Sequence, residues 1–118
     1  MNRSQFLCRL EDIPDGGACS IAADRGPASV GLILLRRGER VFAYYNECPH
    51  AGRNLDYLPG KFLVKGERIT CAAHGATYAT DSGACVGGPC RSGLVAVPIA
   101  IMNGEVHLRG LAQSISSD

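Results

Sequence analysis

The sequence predicts an all-β fold, a small β-sandwich or barrel. Three observations predict it. Many short apolar runs alternate with turn clusters along the chain. One run, Val41-Phe42-Ala43-Tyr44-Tyr45-Asn46, is rich in residues that favour strands. Finally, Asn103-Gly104 stands between two strand-like runs, a strong signal for a two-residue hairpin.

At 118 residues the chain has the size of one domain. With 46% hydrophobic and 19% charged residues it has the composition of a globular protein. The elements follow in order. Residues 5–10 form a first strand, and Pro14 and Gly16-Gly17 mark the turn cluster after it. Residues 18–22 form a short strand that Arg25-Gly26-Pro27 breaks. Strands over 30–36 and 40–46 flank Arg37-Gly38-Glu39 and read as a hairpin. Residues 53–66, with Pro59 and two glycines, read as an irregular loop. Strands follow at 68–70 and 77–79, with a turn at Thr80-Asp81-Ser82-Gly83. Runs over 94–102 and 105–109 enclose Asn103-Gly104, and Pro98 places its strand at an edge or a bulge. Residues 110–118, with three serines, read as a flexible tail behind a domain of 1–109.

The chemistry is concentrated in two stretches, Cys48-Pro49-His50-Ala51-Gly52 and Cys71-Ala72-Ala73-His74-Gly75. Each offers one soft thiolate and one imidazole. Such a set suits a tetrahedral zinc ion or a [2Fe–2S] cluster. The spacing of Cys71 and His74 fits structural zinc. The single residue between Cys48 and His50 does not, and it sends the two side chains toward separate metal atoms more readily than toward one. A two-iron cluster supplies those separate atoms.

With both motifs in place, the chain resembles the Rieske [2Fe–2S] proteins. Tyr78, four residues after His74, and Gly87-Gly88-Pro89, matching a proline-containing loop over the cluster, extend the resemblance across about 4–109. It implies a β-sandwich base with a small cluster-binding subdomain, about 46–90, at its tip. It also implies one [2Fe–2S] cluster held by Cys48, His50, Cys71 and His74. Gly52, Gly75, Ala76, Tyr78 and Pro89 would form the surroundings of the cluster. The respiratory-chain members carry an extra Cys in each loop. Here Arg53 and Ala73 stand in those places, so the cluster-side disulfide is absent. Ala76 also replaces the serine whose hydroxyl reaches a bridging sulfide. Hydrogen bonds to cluster sulfurs raise the potential. The expected potential is therefore in the lower part of the Rieske range, about −150 to +300 mV. Tyr78 acts the other way if its hydroxyl reaches the sulfur of Cys48. The alternative for Tyr78 is a core aromatic with a solvated hydroxyl. The free ring nitrogens of the two ligand histidines make the potential fall at alkaline pH. The insert 51–70 is longer than in typical dioxygenase ferredoxins.

The formal net charge is +1 and the basic residues are scattered, which argues against nucleic acid. No stretch approaches the roughly 18 apolar residues of a membrane span. The start lacks the apolar core of a signal peptide, so the expected compartment is the cytoplasm. With His50 and His74 used, only His107 remains. No 2-His-1-carboxylate oxygenase site can then be built, so the chain is expected not to be an enzyme. The resemblance implies a soluble one-electron carrier between a flavoprotein reductase and a terminal oxygenase such as a Rieske oxygenase. A redox-sensing or accessory subunit of another reductase, of nitrite-reductase type, is the alternative. A structural zinc module is the third reading.

Cys85 and Cys90 frame the Gly87-Gly88-Pro89 loop. The expected reducing compartment favours two thiols there over a disulfide. Gly87-Gly88-Pro89 itself reads as a lid over the cluster rather than a simple turn. Cys8 and Cys19 read as core residues, and His107 as an outward residue of its strand. Tyr44 and Tyr45 read as one core and one surface aromatic.

Overall fold

The computed structural model describes residues 5–25, 28–47, 54–58, 60–72, 75–90 and 92–109. Ten strands account for nearly all its regular structure, as expected: β1 (Gln5–Arg9), β2 (Ala18–Arg25), β3 (Ala28–Arg37), β4 (Arg40–Tyr45), β5 (Leu63–Lys65), β6 (Arg68–Thr70), β7 (Thr77–Ala79), β8 (Cys85–Gly87), β9 (Ile99–Met102) and β10 (Glu105–Leu108). A single 3-10 turn, Leu10–Asp12, follows β1.

The strands form three antiparallel sheets, ordered β1-β10-β9, β2-β3-β4 and β5-β6-β7-β8. The first two enclose one core around Leu7, Ala23, Leu32, Leu34, Val106 and Leu108. The third covers a second core around Leu55, Ile69, Cys71, Ala76 and Tyr78, to which β3 and β4 add Ile33, Leu35 and Tyr44. Side chains alternate across a strand. Leu32 and Leu34 therefore serve the first core, and Ile33 and Leu35 the second. This is why β3 reads as an unbroken apolar run: both of its faces are buried.

The expected hairpins form. β3 and β4 pair as far as Arg37↔Arg40 around Gly38, whose φ of 65° suits glycine. Asn103 and Gly104, at φ 53° and 76°, join β9 to β10, so both central residues have the positive φ of a type I′ turn. Pro98 precedes β9, an edge strand, as expected. Two strands were not expected. β5 lies within the stretch read as irregular loop, where Phe62 and Val64 pack against the second core. β8 is a three-residue strand paired with β7. The run 94–102 is shorter than expected, with only 99–102 in a regular strand and Ala96 bridged to Tyr44.

A tyrosine joins the base to the third sheet. The Tyr44 hydroxyl donates to the carbonyl of Thr80 at 2.9 Å. Gly83 sits beneath its ring, where a Cβ would come within 2.7 Å of Cε1. Burial first, and the Asp81 carboxylate second, push the Tyr44 phenol up to about 12. Of the two tyrosines expected to divide between core and surface, Tyr44 is buried, and Tyr45 is half-buried and packs on the first core. The tail 110–118 lies outside the described residues.

Candidate metal centre

The second ligand stretch is a tight loop between β6 and β7. Thr70 and Thr77 close the ladder, and their hydroxyls lie 3.1 Å apart. The Cys71 amide donates to the Ala76 carbonyl at 2.7 Å, and the Gly75 amide donates back to the Cys71 carbonyl at 3.0 Å. Gly75 turns the chain at φ 80°. Cys71 and Ala76 are fully buried in the second core. The loop therefore holds the Cys71 side chain inward on a rigid hydrogen-bonded base, as a metal ligand requires.

Two further elements close on this loop. The stretch Gly87-Gly88-Pro89 leaves β8 and turns over it. Gly88 has φ 77°, and a Cβ there would strike the Gly75 carbonyl and approach the Ala76 Cα at 2.8 Å. Only glycine fits this contact. On the other side, the Ala72 amide donates to the Leu55 carbonyl at 3.4 Å. Leu55 lies three residues beyond the first Cys-His stretch and is fully buried.

Of the expected ligands, Cys71 is described, whereas Cys48, His50 and His74 lie outside the described residues, as does Gly52. Tyr78 is fully buried. That removes the solvated hydroxyl considered from sequence, and a buried phenol normally has a hydrogen-bond partner. Pro89 is exposed on the outer side of the lid.

The expectation of two thiols at Cys85 and Cys90 is corrected. The structure joins them in a disulfide across the lid, with Cα atoms 6.0 Å apart. The turn at Gly88 and Pro89 brings the ends of the segment into bridging range, a local geometry that an argument from compartment does not see. Neither bonded sulfur carries a proton, so the 3.2 Å approach of Cys85 Sγ to the Cys90 carbonyl is a contact and not a hydrogen bond. Cys8 is buried and the half-buried Cys19 packs against the same core. Burial first, then the neighbouring Cys8, push the Cys19 thiol up to about 12. His107 shares the outer side of β10 with Glu105, yet it is covered. Its ring meets Phe6 edge-on at 5.7 Å, and Nε2 lies 3.0 Å from Glu105 Oε1.

Sequence reasoning missed Asn46. It is buried where β4 ends, and its side-chain oxygen accepts the Leu55 amide at 2.8 Å. The available signal was a lone amide closing a strand of aromatic and apolar residues, two positions before Cys48.

Comparison with known proteins agrees with this geometry. Residues 3–100 match the Rieske [2Fe-2S] domain. The chain belongs to the Rieske [2Fe–2S] domain family. It is 21% identical over 103 residues to the 3-phenylpropionate/cinnamic acid dioxygenase ferredoxin subunit of Photorhabdus laumondii, covering 87% of this chain and 90% of that one. Its fold is similar to that of the Sphingomonas yanoikuyae B1 ferredoxin, with a TM-score of 0.74, 23% identity, and coverage of 92% and 99% of the two chains. A chain in the complex of reduced oxygenase and oxidised ferredoxin of carbazole 1,9a-dioxygenase matches equally well, with a TM-score of 0.74, 23% identity, and coverage of 92% and 94%. The family cofactor is one Rieske-type [2Fe–2S] cluster, and the zinc reading gives way to it. The site fits that cofactor: Cys71 points inward from a glycine-turned loop beneath a glycine lid, with no bulky side chain at Ala76.

Proposed function

We propose that the protein is a one-electron carrier, accepting an electron from a flavin-containing reductase and delivering it to a terminal oxygenase. The observation that carries this reading is the extent of the match. The chain aligns with 90% of a dioxygenase ferredoxin subunit and 99% of a ferredoxin of known structure. By contrast, it spans only 29% of the terminal oxygenase of carbazole 1,9a-dioxygenase from Novosphingobium, which it matches at a TM-score of 0.74.

Within this reading, Cys48, His50, Cys71 and His74 would hold the cluster, the two thiolates on one iron and the two imidazoles on the other. The bound cluster supplies the one-electron couple. The 46–90 segment is its binding subdomain, built on the base of the 1–109 domain. Cys71 is buried, and Gly88 packs on the backbone of the same loop. Ala76 would offer no hydroxyl to a sulfide, and Arg53 and Ala73 stand where a cluster-side disulfide would need cysteines, which supports the ferredoxin-type reading. Tyr57 and Leu58, both at least half exposed, stand just beyond Leu55 and give an oxygenase apolar surface beside the loops. No helix among the described residues is long and apolar enough to cross a membrane, which agrees with a soluble carrier working in the cytoplasm.

The test is reconstitution. The purified holoprotein is mixed anaerobically with a flavoprotein ferredoxin reductase and reduced pyridine nucleotide, and the visible band is followed. Reductase-dependent bleaching, followed by recovery on adding an oxidised Rieske oxygenase, is expected. A cluster that dithionite reduces but no such reductase does would overturn the carrier role.

A further inference from the structure

We propose that Asn46 is a positioning residue of the metal centre, acting with Asp56 as a clasp that sets the first ligand loop against the second. The inference deepens the reading above and rests on Cys48 and His50 being ligands.

The clasp is built from four hydrogen bonds. The Asn46 backbone amide donates to the Gly31 carbonyl at 3.0 Å, anchoring the residue to β3. Its side-chain oxygen accepts the Leu55 amide at 2.8 Å. Its side-chain nitrogen donates to Asp56 Oδ1 at 3.4 Å. The other oxygen of Asp56 accepts the Gly60 amide at 3.0 Å. One side chain thus ties residue 46 to residues 55 and 56, on either side of the stretch that carries Cys48 and His50.

The tie continues to the second loop. Leu55, held by Asn46, receives the Ala72 amide at 3.4 Å, next to Cys71. A single hydrogen-bonded path therefore runs from β3 through Asn46 and Leu55 to the residue beside the second thiolate. A two-iron cluster needs the two loops at a set separation, because each supplies one thiolate and one imidazole. The clasp gives them a common reference.

The chemistry requires an amide at position 46. The side chain must accept from Leu55 and also donate to Asp56. A carboxylate accepts from Leu55 but faces Asp56 without a proton to give. Serine is too short to bridge both, and an alkyl chain leaves the buried Leu55 amide without its acceptor. Replacing groups that orient metal ligands costs on the order of 10- to 100-fold in metal affinity or activity.

The experiment uses the holoprotein in three forms: wild type, Asn46→Asp, and the exchange Asn46→Asp with Asp56→Asn. The exchange reverses the amide and carboxylate while keeping each bond. The new carboxylate accepts from Leu55 and from the new amide, whose oxygen still accepts from Gly60. Two readouts are taken, the rate of bleaching by an iron chelator and the midpoint potential. Asn46→Asp should bleach on the order of tenfold faster or more, with a shifted potential, and the exchange should return both to within about twofold of wild type. Wild-type behaviour in Asn46→Asp, or an exchange no better than the single variant, overturns the clasp. If Asn46→Asp takes up no cluster, the exchange decides alone: wild-type bleaching supports the proposal and a colourless protein overturns it. A wild-type protein without a Rieske signal overturns the ligand reading itself, and the role of the clasp at the metal with it.

Discussion

Gly88 and Gly75 meet backbone to backbone. A Cβ built on Gly88 would strike the Gly75 carbonyl and stand 2.8 Å from the Ala76 Cα. The lid and the second ligand loop are therefore in contact through main chain, with nothing flexible between them that could yield.

Gly88→Ala should lift the lid. The left-handed φ alone costs about 1–2 kcal/mol for a residue with a Cβ, and the backbone clash adds to it. We expect a lower denaturation midpoint and faster bleaching of the cluster by an iron chelator. Gly66→Ala is the control. Its φ is also positive, but no atom lies within 4 Å of its added Cβ, so it should destabilise without hastening bleaching.

The disulfide of the lid should be detectable directly. Under non-reducing conditions the intact mass should fall two daltons below that of the thiol form. Cys85→Ser with Cys90→Ser should lower stability by about 2 kcal/mol, the value expected for so short a closed loop. Unchanged denaturation curves would show that the lid holds its place without the bridge.

Tyr78→Phe should lower the reduction potential by an amount on the order of tens of millivolts, because hydrogen bonds to cluster sulfurs favour the reduced state. Tyr78 is fully buried, so the substitution keeps the packing of the ring and removes only the hydroxyl with its hydrogen bond. Protein-film voltammetry at fixed pH reads the shift. A potential equal to wild type would place the hydroxyl away from the cluster.

Alkaline stability should depend on Tyr44. Its phenol is raised to about 12 by burial and by Asp81, against about 10 in an unfolded chain. The folded state therefore holds its proton where the unfolded state has lost it. The contribution is whole below pH 10 and disappears as pH rises through 12, a loss on the order of 2–3 kcal/mol. Tyr44→Phe should be less stable at pH 8, because the Thr80 carbonyl loses its donor. Above pH 10 its stability should fall less steeply than that of wild type in guanidinium titrations.

The sequence carried the strand-and-turn skeleton clearly. Asn103-Gly104 and Gly38 specify their hairpins by local chemistry alone, and both form. The two Cys-His stretches stand out for a similar reason, since candidate ligands are recognised by residue type. What was not legible is long-range. Strand β5 exists because Val64 finds Ile69 across the ladder, and β8 because Tyr78 pairs with Cys85. The three residues of either strand do not announce such pairing. Asn46 escaped notice because its partners, Leu55 and Asp56, become neighbours only once the first loop is closed. The bridge was not foreseen because compartment was weighed, whereas the turn that brings the two sulfurs into range lies in the local geometry.

Strand β3 gives alternate side chains to the two cores, Leu32 and Leu34 to one and Ile33 and Leu35 to the other. Neither core can open without withdrawing a face of the same strand. The molecule should thus open as one cooperative unit, so that amide hydrogen exchange at Leu34 in the base and at Ile69 beneath the metal centre reports one common opening free energy. For an electron carrier this means that the floor under the second Cys-His loop, Ile69 and Cys71, stays closed as long as the base sheet does.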